Sequence, residues 1–577
     1  MSLEIAMSLY KPSLHNHDND MAMTMAILPM LRTTEMYADE DAIGKNEQAA
    51  NSDPSIPRPA PRCAWQDKSL KNPGEGTHAD PYVVDWDLAD PENPFNWSNR
   101  RRWVITFQLA MAIFTVAFCS SCYSGGMAFM DRELHMSQVV GIVGVSLYVL
   151  CLGLGALVFA PLGELYGRRI VFIVTGCIFT MCHLGGALGH SATAILVTRA
   201  FAGFFGSAPL TNAGGALSDL WTPRERGIAT SLYGTAPWMG PVVGPIVGGW
   251  ISETRLGWRF SFWIMFIVSA LNALACLIIT PETFAPVLLR RRARRLMKAS
   301  GGKLVYISKH DVGRSQSVSH VLRRDMGRPF YFLATEPIVL LLAIYIAIAY
   351  ATLYAFFAAY PIVFQEHRHF SAGEGGLAFL GIGLGNIVGL SLAPAQNRLY
   401  WRAMDRHGGK TIPEARLYLP MLGGVILPIS LFWFAWTSDP PVHWVVPVIA
   451  GTPFGLSCAI IMQGLTQYLM DTYSIYCASA IASTVVTRSV VAFVFPLISP
   501  ALYGNLGDAW ACSVFAFLAL ACMPVPFLFY RYGPWVRSKS KYALHDDWRE
   551  PRPVTPPRAA LEDDKKGHIV SSEKAVN

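Results

Sequence analysis

Twelve predominantly apolar stretches, each about 20 residues or longer, alternate with short polar connections along the chain. They lie near 103–124, 139–160, 170–189, 192–214, 228–251 and 258–280, then near 334–360, 374–396, 418–437, 443–466, 475–500 and 509–531. At about 1.5 Å per residue, each is long enough as a helix to cross a hydrocarbon core about 30 Å thick. The pattern predicts an all-α membrane protein of about twelve transmembrane helices in two six-helix halves. It divides the chain into a disordered N-terminal tail (1–102), a first half (103–280), a basic linker (281–333), a second half (334–531) and a C-terminal tail (532–577). The N-terminal tail is polar, rich in Pro, Asn and Asp, and lacks helical periodicity.

Composition agrees. The 577 residues are 52% hydrophobic and 15% charged, against roughly a quarter charged in soluble domains. The basic residues are segregated as well. With the N-terminus inside, the inner connections hold Arg100, Arg101, Arg102, Arg168, Arg169, Arg224 and Arg226, and later Arg398, Arg402, Arg406, Lys410 and Arg416. The opposite side carries Arg132, Arg255, Arg259 and Arg368. This asymmetry predicts cytoplasmic termini by the positive-inside rule, and it removes nucleic acid as a reason for the net charge of +7. The segment from Val287 to Lys298 reads either as a basic helix lying on the inner leaflet or as a solvated charge run. The eleven cysteines lie mostly inside apolar runs, the closely spaced Cys119 and Cys122 among them, and show no Cys/His spacing for a metal, so neither disulfide nor metal is expected.

The fifth apolar run carries the strongest pattern. Glycines 240, 244 and 248 recur every four residues, with Gly249 beside the last, and Pro241 and Pro245 interrupt the helix donors between them. In lipid such a glycine stripe admits a neighbouring backbone, and the prolines bend or soften the helix. Between the second and third runs, Gly163 and Gly167 supply a reversal. Glu164 there is placed to meet the positive end of a helix, while Arg168, followed by Arg169, can pair with Asp219 at the end of the fourth run.

Arg199 and Arg488 lie inside spanning runs, where a charge is costly and points to function; a purely structural arginine bonded to helix carbonyls is the alternative for Arg199. Acidic candidates for a proton carrier, namely Asp131, Glu164, Asp219, Glu336 and Asp471, all stand near helix ends. Of these Asp219 is favoured, and His183 reads as structural. Trp238, Tyr350, Tyr354, Asn386 and Gln463 are candidates for a substrate cavity, with Tyr345, Phe356, Phe357 and Gln467 nearby in sequence. Without a cluster of cavity carboxylates, a neutral or weakly acidic compound is favoured over a polycation.

Gly163-Glu-Leu-Tyr-Gly-Arg-Arg169 resembles the loop signature of the major facilitator superfamily, with Glu where many members have Asp. Gly240-Pro-Val-Val-Gly-Pro-Ile-Val-Gly-Gly249 resembles the antiporter signature of its fifth helix, and Arg199-Ala-Phe-Ala-Gly-Phe-Phe-Gly206 that of its fourth. Asp90-Pro-Glu-Asn-Pro-Phe-Asn-Trp97 and Pro281-Glu-Thr-Phe-Ala-Pro-Val-Leu-Leu289 are similar to segments of fungal twelve-span drug:proton antiporters, the branch of polyamine, azole and toxin exporters. The resemblance covers about residues 83–542. It implies two halves that open alternately to each side of the membrane, exporting a small molecule in exchange for protons. The expected partners are that substrate, protons and the bilayer, with no cofactor beyond the proton gradient, and a monomer in the plasma membrane or, alternatively, the vacuolar membrane. A proton-coupled importer and a non-transporting sensor are the competing readings. No nucleophile–base pair, metal constellation or phosphate-binding Gly-Lys loop supports an enzyme or direct use of ATP.

Overall fold

The computed structural model describes residues 74–543 except 79, 88, 223–224, 313–317, 409–410, 474–475 and 541. Arg224, Lys410, the side chain of Arg226, the tail up to residue 73 and the tail from residue 544 therefore lie outside the described residues.

Every apolar run becomes helix. The first half comprises α1 (Asn99–Gly125), a short α2 (Met127–Glu133), α3 (Gln138–Tyr166), α4 (Arg168–Ala187), α5 (Ala192–Leu220), α6 (Arg226–Glu253) and α7 (Arg259–Ile279). The linker contributes α8 (Ala285–Ala299) and α9 (Val318–Thr335). The second half comprises α10 (Pro337–Tyr360), a short α11 (Ala372–Leu377), α12 (Leu380–Arg406), α13 (Tyr418–Thr437), α14 (Val445–Thr472), α15 (Cys477–Cys522) and α16 (Pro524–Lys539). Ser137 and Ser191 start α3 and α5 by accepting the backbone N–H groups of Val140 and Ala194.

Ten helical stretches among the described residues are long and apolar enough to span a membrane, the last being Cys477–Lys539 with 63 residues. Gly507, at φ 74°, breaks that stretch into two spans, a conformation that glycine adopts without a Cβ penalty. The twelfth span is α6, 28 residues long with Pro237, Pro241 and Pro245 inside it. The expected all-α architecture of two six-helix halves is thus present.

The halves meet along two helix pairs. On one side Gly153 of α3 faces Ser489 of α15, where an added Cβ would stand 2.5 Å from that of Ser489. On the other, Gly383 of α12 faces Val242 of α6, where an added Cβ would stand 2.8 Å from Val242 Cγ1. The largest buried cluster draws on both halves, joining Tyr148 and Trp238 to Tyr345, Tyr350 and Tyr354.

The connecting segments differ from the sequence expectation. Residues 82–84 (β1), inside the stretch read as disordered tail, pair in parallel with 306–308 (β2) of the linker, Tyr82 opposite Tyr306. Helix α8 is neither laid on lipid nor simply solvated. Its apolar face, Leu289 and Ala293, is buried against Val84 and Tyr306. Its arginines meet carboxylates: Arg290 with Asp311 at 2.7 Å, Arg292 with Asp90, and Arg295 with Glu92 at 2.8 Å. Acids of the segment before α1 and of the linker thus pair with three arginines of the cluster, and protein covers the apolar face of the helix.

Candidate functional site

Three constellations of the sequence-predicted residues emerge, one at the end of α3, one in the interior of the first half, and one between the halves.

At the first, Gly167 turns the chain between α3 and α4 with φ 103°. Arg168 follows it and is buried. Its Nε donates to Asp219 Oδ2 at 2.8 Å and its NH1 to the Asn212 carbonyl at 3.2 Å, while the guanidinium lies 4.9 Å from the Phe284 ring centre. The predicted Arg168–Asp219 pair is therefore present. Arg169 reaches the Leu277 carbonyl at 3.1 Å. Gly163 gives room to the side chain of Asn212, which donates to the Phe159 carbonyl at 2.9 Å.

A further carboxylate takes a helix-end role here. Glu164 is exposed, whereas Glu282, 4% exposed, accepts the backbone N–H of Arg168 at 3.1 Å and of Arg169 at 3.4 Å. A carboxylate at that helix start meets its unpaired donors and its positive end. Glu282 belongs to the Pro281-Glu-Thr-Phe284 segment, which was the available signal. The second half repeats the arrangement: Arg416 Nε donates to Asp471 Oδ2 at 2.9 Å, with NH1 shared between Asn397 (3.3 Å) and Gln467 (3.2 Å). Sequence reasoning noted Arg416 and Asp471 but did not pair them, and it assigned Gln467 to the cavity rather than to this cluster.

In the second constellation, α6 lies against α1 along the predicted glycine face. An added Cβ would fall 2.6 Å from the Phe118 nitrogen at Gly240, 2.7 Å from the Cys122 nitrogen at Gly244, and 3.1 Å from the Cys122 carbonyl carbon at Gly248. The face is reciprocated by Gly125 of α1, where a Cβ would meet the Pro245 carbonyl oxygen at 2.8 Å. Ser121 also donates to the Gly240 carbonyl at 3.1 Å. Pro241 and Pro245 lie within one uninterrupted helix. Gly249 points elsewhere, towards Ala372 and Gly373 of α11 in the other half.

Beside this seam sits Arg199, 1% exposed. It donates to three carbonyls, Gly144 at 3.1 Å, Cys119 at 2.6 Å and Ser120 at 2.7 Å. Its guanidinium also lies 4.7 Å from the Tyr123 ring centre and 4.4 Å from that of Tyr148. This is the structural alternative for Arg199, an arginine bonded to helix carbonyls, and its described contacts are all of structural kind. Further along, Asp131 of α2 packs on Gly141, with Oδ1 buried and unpartnered. Burial pushes its carboxyl from 3.8 up to about 6. His183 is buried edge-on to Phe179 at 4.5 Å.

The third constellation collects most of the cavity candidates. Trp238 of α6 stands edge-on to Tyr350 of α10, ring centres 6.0 Å apart. The Tyr350 hydroxyl donates to that of Tyr354 at 3.3 Å, and Tyr354 shares a 3.0 Å hydrogen bond with Ser120 of α1. Arg488 of α15 lies 4.8 Å over the Tyr350 ring. Asn386 of α12 is fully buried. Gln463 stands apart from this group and donates to Ser231 of α6 at 2.7 Å across the halves. Phe356 packs on Phe434 and Phe454 inside the second half and so is core rather than wall.

Comparison with known proteins places the chain among transporters. The sequence model of the Major Facilitator Superfamily matches residues 109–492. The chain is 44% identical over 478 residues to the multidrug transporter mdrA of Aspergillus fumigatus, covering 82% of this chain and 78% of that one. It is 43% identical to the efflux pump MFS2 of Trichophyton rubrum, covering 82% and 80%, and 44% identical to the transporter sorT of Penicillium rubens, covering 82% and 90%. Among solved structures it resembles the proton:xylose symporter XylE, with TM-score 0.54 at 15% identity over 76% of this chain and 96% of that one. It also resembles the human organic anion transporter MFSD10, with TM-score 0.52 at 15% identity over 74% and 100%. These structural likenesses concern the fold alone.

Proposed function

The chain belongs to the Major Facilitator Superfamily, and from that premise we propose that it is a secondary active exporter of small hydrophobic compounds driven by proton antiport. We place it in the plasma membrane with both termini in the cytoplasm; the distribution of arginines between the two sides supports that orientation. The names of the relatives, a multidrug transporter and an efflux pump, support outward movement of drugs, xenobiotics or secondary metabolites.

The observation that carries the reading is the double role of α6. Its glycine face locks it to α1, so the two move as a unit. Yet it touches the second half at both ends, through Ser231 and Gln463 near the cytoplasmic end and through Gly249 and Ala372 near the outer end. Rocking of the halves opens one of these contacts while keeping the other, and the α1–α6 seam stays closed against leak throughout. The paired clusters Arg168–Asp219 and Arg416–Asp471 lie at the cytoplasmic ends of the two halves, where such a motion makes and breaks charged contacts.

Cells producing the chain retain less of a panel of planar hydrophobic compounds than cells lacking it, and a protonophore removes the difference. Equal retention across the panel overturns the exporter reading. Export that persists without a proton gradient overturns antiport, and a higher retention establishes import instead.

A further inference from the structure

Arg488 is a second arginine within a membrane span, and unlike Arg199 it has no hydrogen bond or ion pair among the described residues. Arg488 lies in the middle of the first span of α15, and its Nε is buried without a hydrogen-bond partner. No carboxylate among the described residues stands within ion-pair distance of it. Its contact is the face of Tyr350. Arg488 as a whole is half-buried, and a ring face offsets only about 1–2 kcal/mol of the cost of holding a cation in a membrane span.

An unsatisfied amide stands at the same depth. Asn386 is fully buried, and neither its side-chain oxygen nor its nitrogen has a partner. The approaches of Gly383 to Val242 and of Gly227 to Asn397 fix the antiparallel register of α12 on α6. That register sets Asn386 level with Trp238, whose ring meets Tyr350 edge-on. Four helices from both halves therefore bring a free cation, a free amide and two aromatic rings to one level between the halves.

Resting on the exporter reading, we propose that this level is the substrate anchor and that the cargo includes planar aromatic acids. The carboxylate is taken by the forked donors of Arg488, the ring by Trp238 and Tyr350, and a further polar group by Asn386. Arg199 is unsuited to this role because three carbonyls already occupy its donors.

The test uses the full chain in proteoliposomes under an imposed pH gradient, with 1-naphthoate as the acid probe and 1-naphthamide as its neutral counterpart. Wild type moves naphthoate in preference to naphthamide. Arg488→Gln lowers naphthoate transport at least about tenfold while naphthamide changes by less than about twofold. If wild type moves naphthamide alone, or if Arg488→Gln leaves the preference unchanged, the anchor is wrong and the exporter reading stands. If wild type moves neither these probes nor any member of the hydrophobic panel, the exporter reading itself falls. Should Arg488→Gln lose both probes, Arg488→Lys decides: retained preference for naphthoate supports the site, and equal transport of both overturns it.

Discussion

Arg199 and Arg488 both lie within membrane-spanning runs, and the sequence favours Arg199 as the functional one, since it alone stands in a family signature. The structure separates them completely. Arg199 is closed off, with three carbonyls from α1 and α3 and two tyrosine faces consuming its donors and its charge. Arg488 sits between the halves against a single ring, its Nε unused. The first therefore ties helices of one half together, while the second is available to something that arrives. A charged residue in a membrane marks function by default, but its hydrogen-bond inventory decides which kind.

The largest effect is expected where the seat of Arg199 is built. Two of its carbonyl acceptors lie on α1, and α1 is held in place by the glycine face of α6. Gly244→Leu drives a side chain into the Cys122 backbone, which stands 2.7 Å from the position of the first added carbon. Folded protein and transport are both lost. Gly234→Ala, on the same helix with open space around it, changes neither. Surface expression and fluorescence-detected size exclusion read the contrast; equal behaviour of the two variants would remove the packing role of the stripe.

Next comes the comparison itself. Arg199→Gln leaves carbonyls and rings arranged for a missing cation, and loss of charged hydrogen bonds of this kind costs about 3 kcal/mol or more. Thermal unfolding in detergent drops sharply for Arg199→Gln and hardly moves for Arg488→Gln, whose side chain has few bonds to lose. Arg199→Lys does not rescue, because one ammonium cannot span three carbonyls and two ring faces. Matching losses of stability for the two glutamine variants would break the distinction.

The legible and illegible parts of the molecule divide by the range of the interaction. Twelve helices and their division into halves were readable because apolar length is a local property. So was the Arg168–Asp219 pair, since loop signatures place both residues at helix ends. Glu282, which caps α4 from 114 residues away, was quoted as part of a motif without its role, since no local pattern tells a carboxylate which helix it will meet. The stretch around Asp90 and Glu92 looked disordered because its order comes from arginines of α8 about 200 residues later. The acceptors of Arg199 were invisible for another reason: backbone carbonyls leave no signature in side chains.

The smallest effect concerns Asp131, which packs on Gly141 of α3, three residues before the Gly144 carbonyl that Arg199 holds. The Asp131 carboxyl, held near pH 6 by burial rather than at its ordinary 3.8, binds a proton more readily in the folded chain than in the unfolded one. Its contribution to stability is therefore complete below about pH 4 and is lost as the pH rises through 6. Solvent reaches part of the residue, which limits the contribution to about 1 kcal/mol. Asp131→Asn keeps a neutral side chain at every pH, so its unfolding temperature lacks the decline that the wild type shows between about pH 4 and 7. The same substitution in Arg488→Gln gives an identical difference, because Asp131 packs on α3 beside the seat of Arg199 and makes no contact with Arg488. A decline that vanished in the Arg488 variant would instead join the two arginines into one network and end the distinction between them.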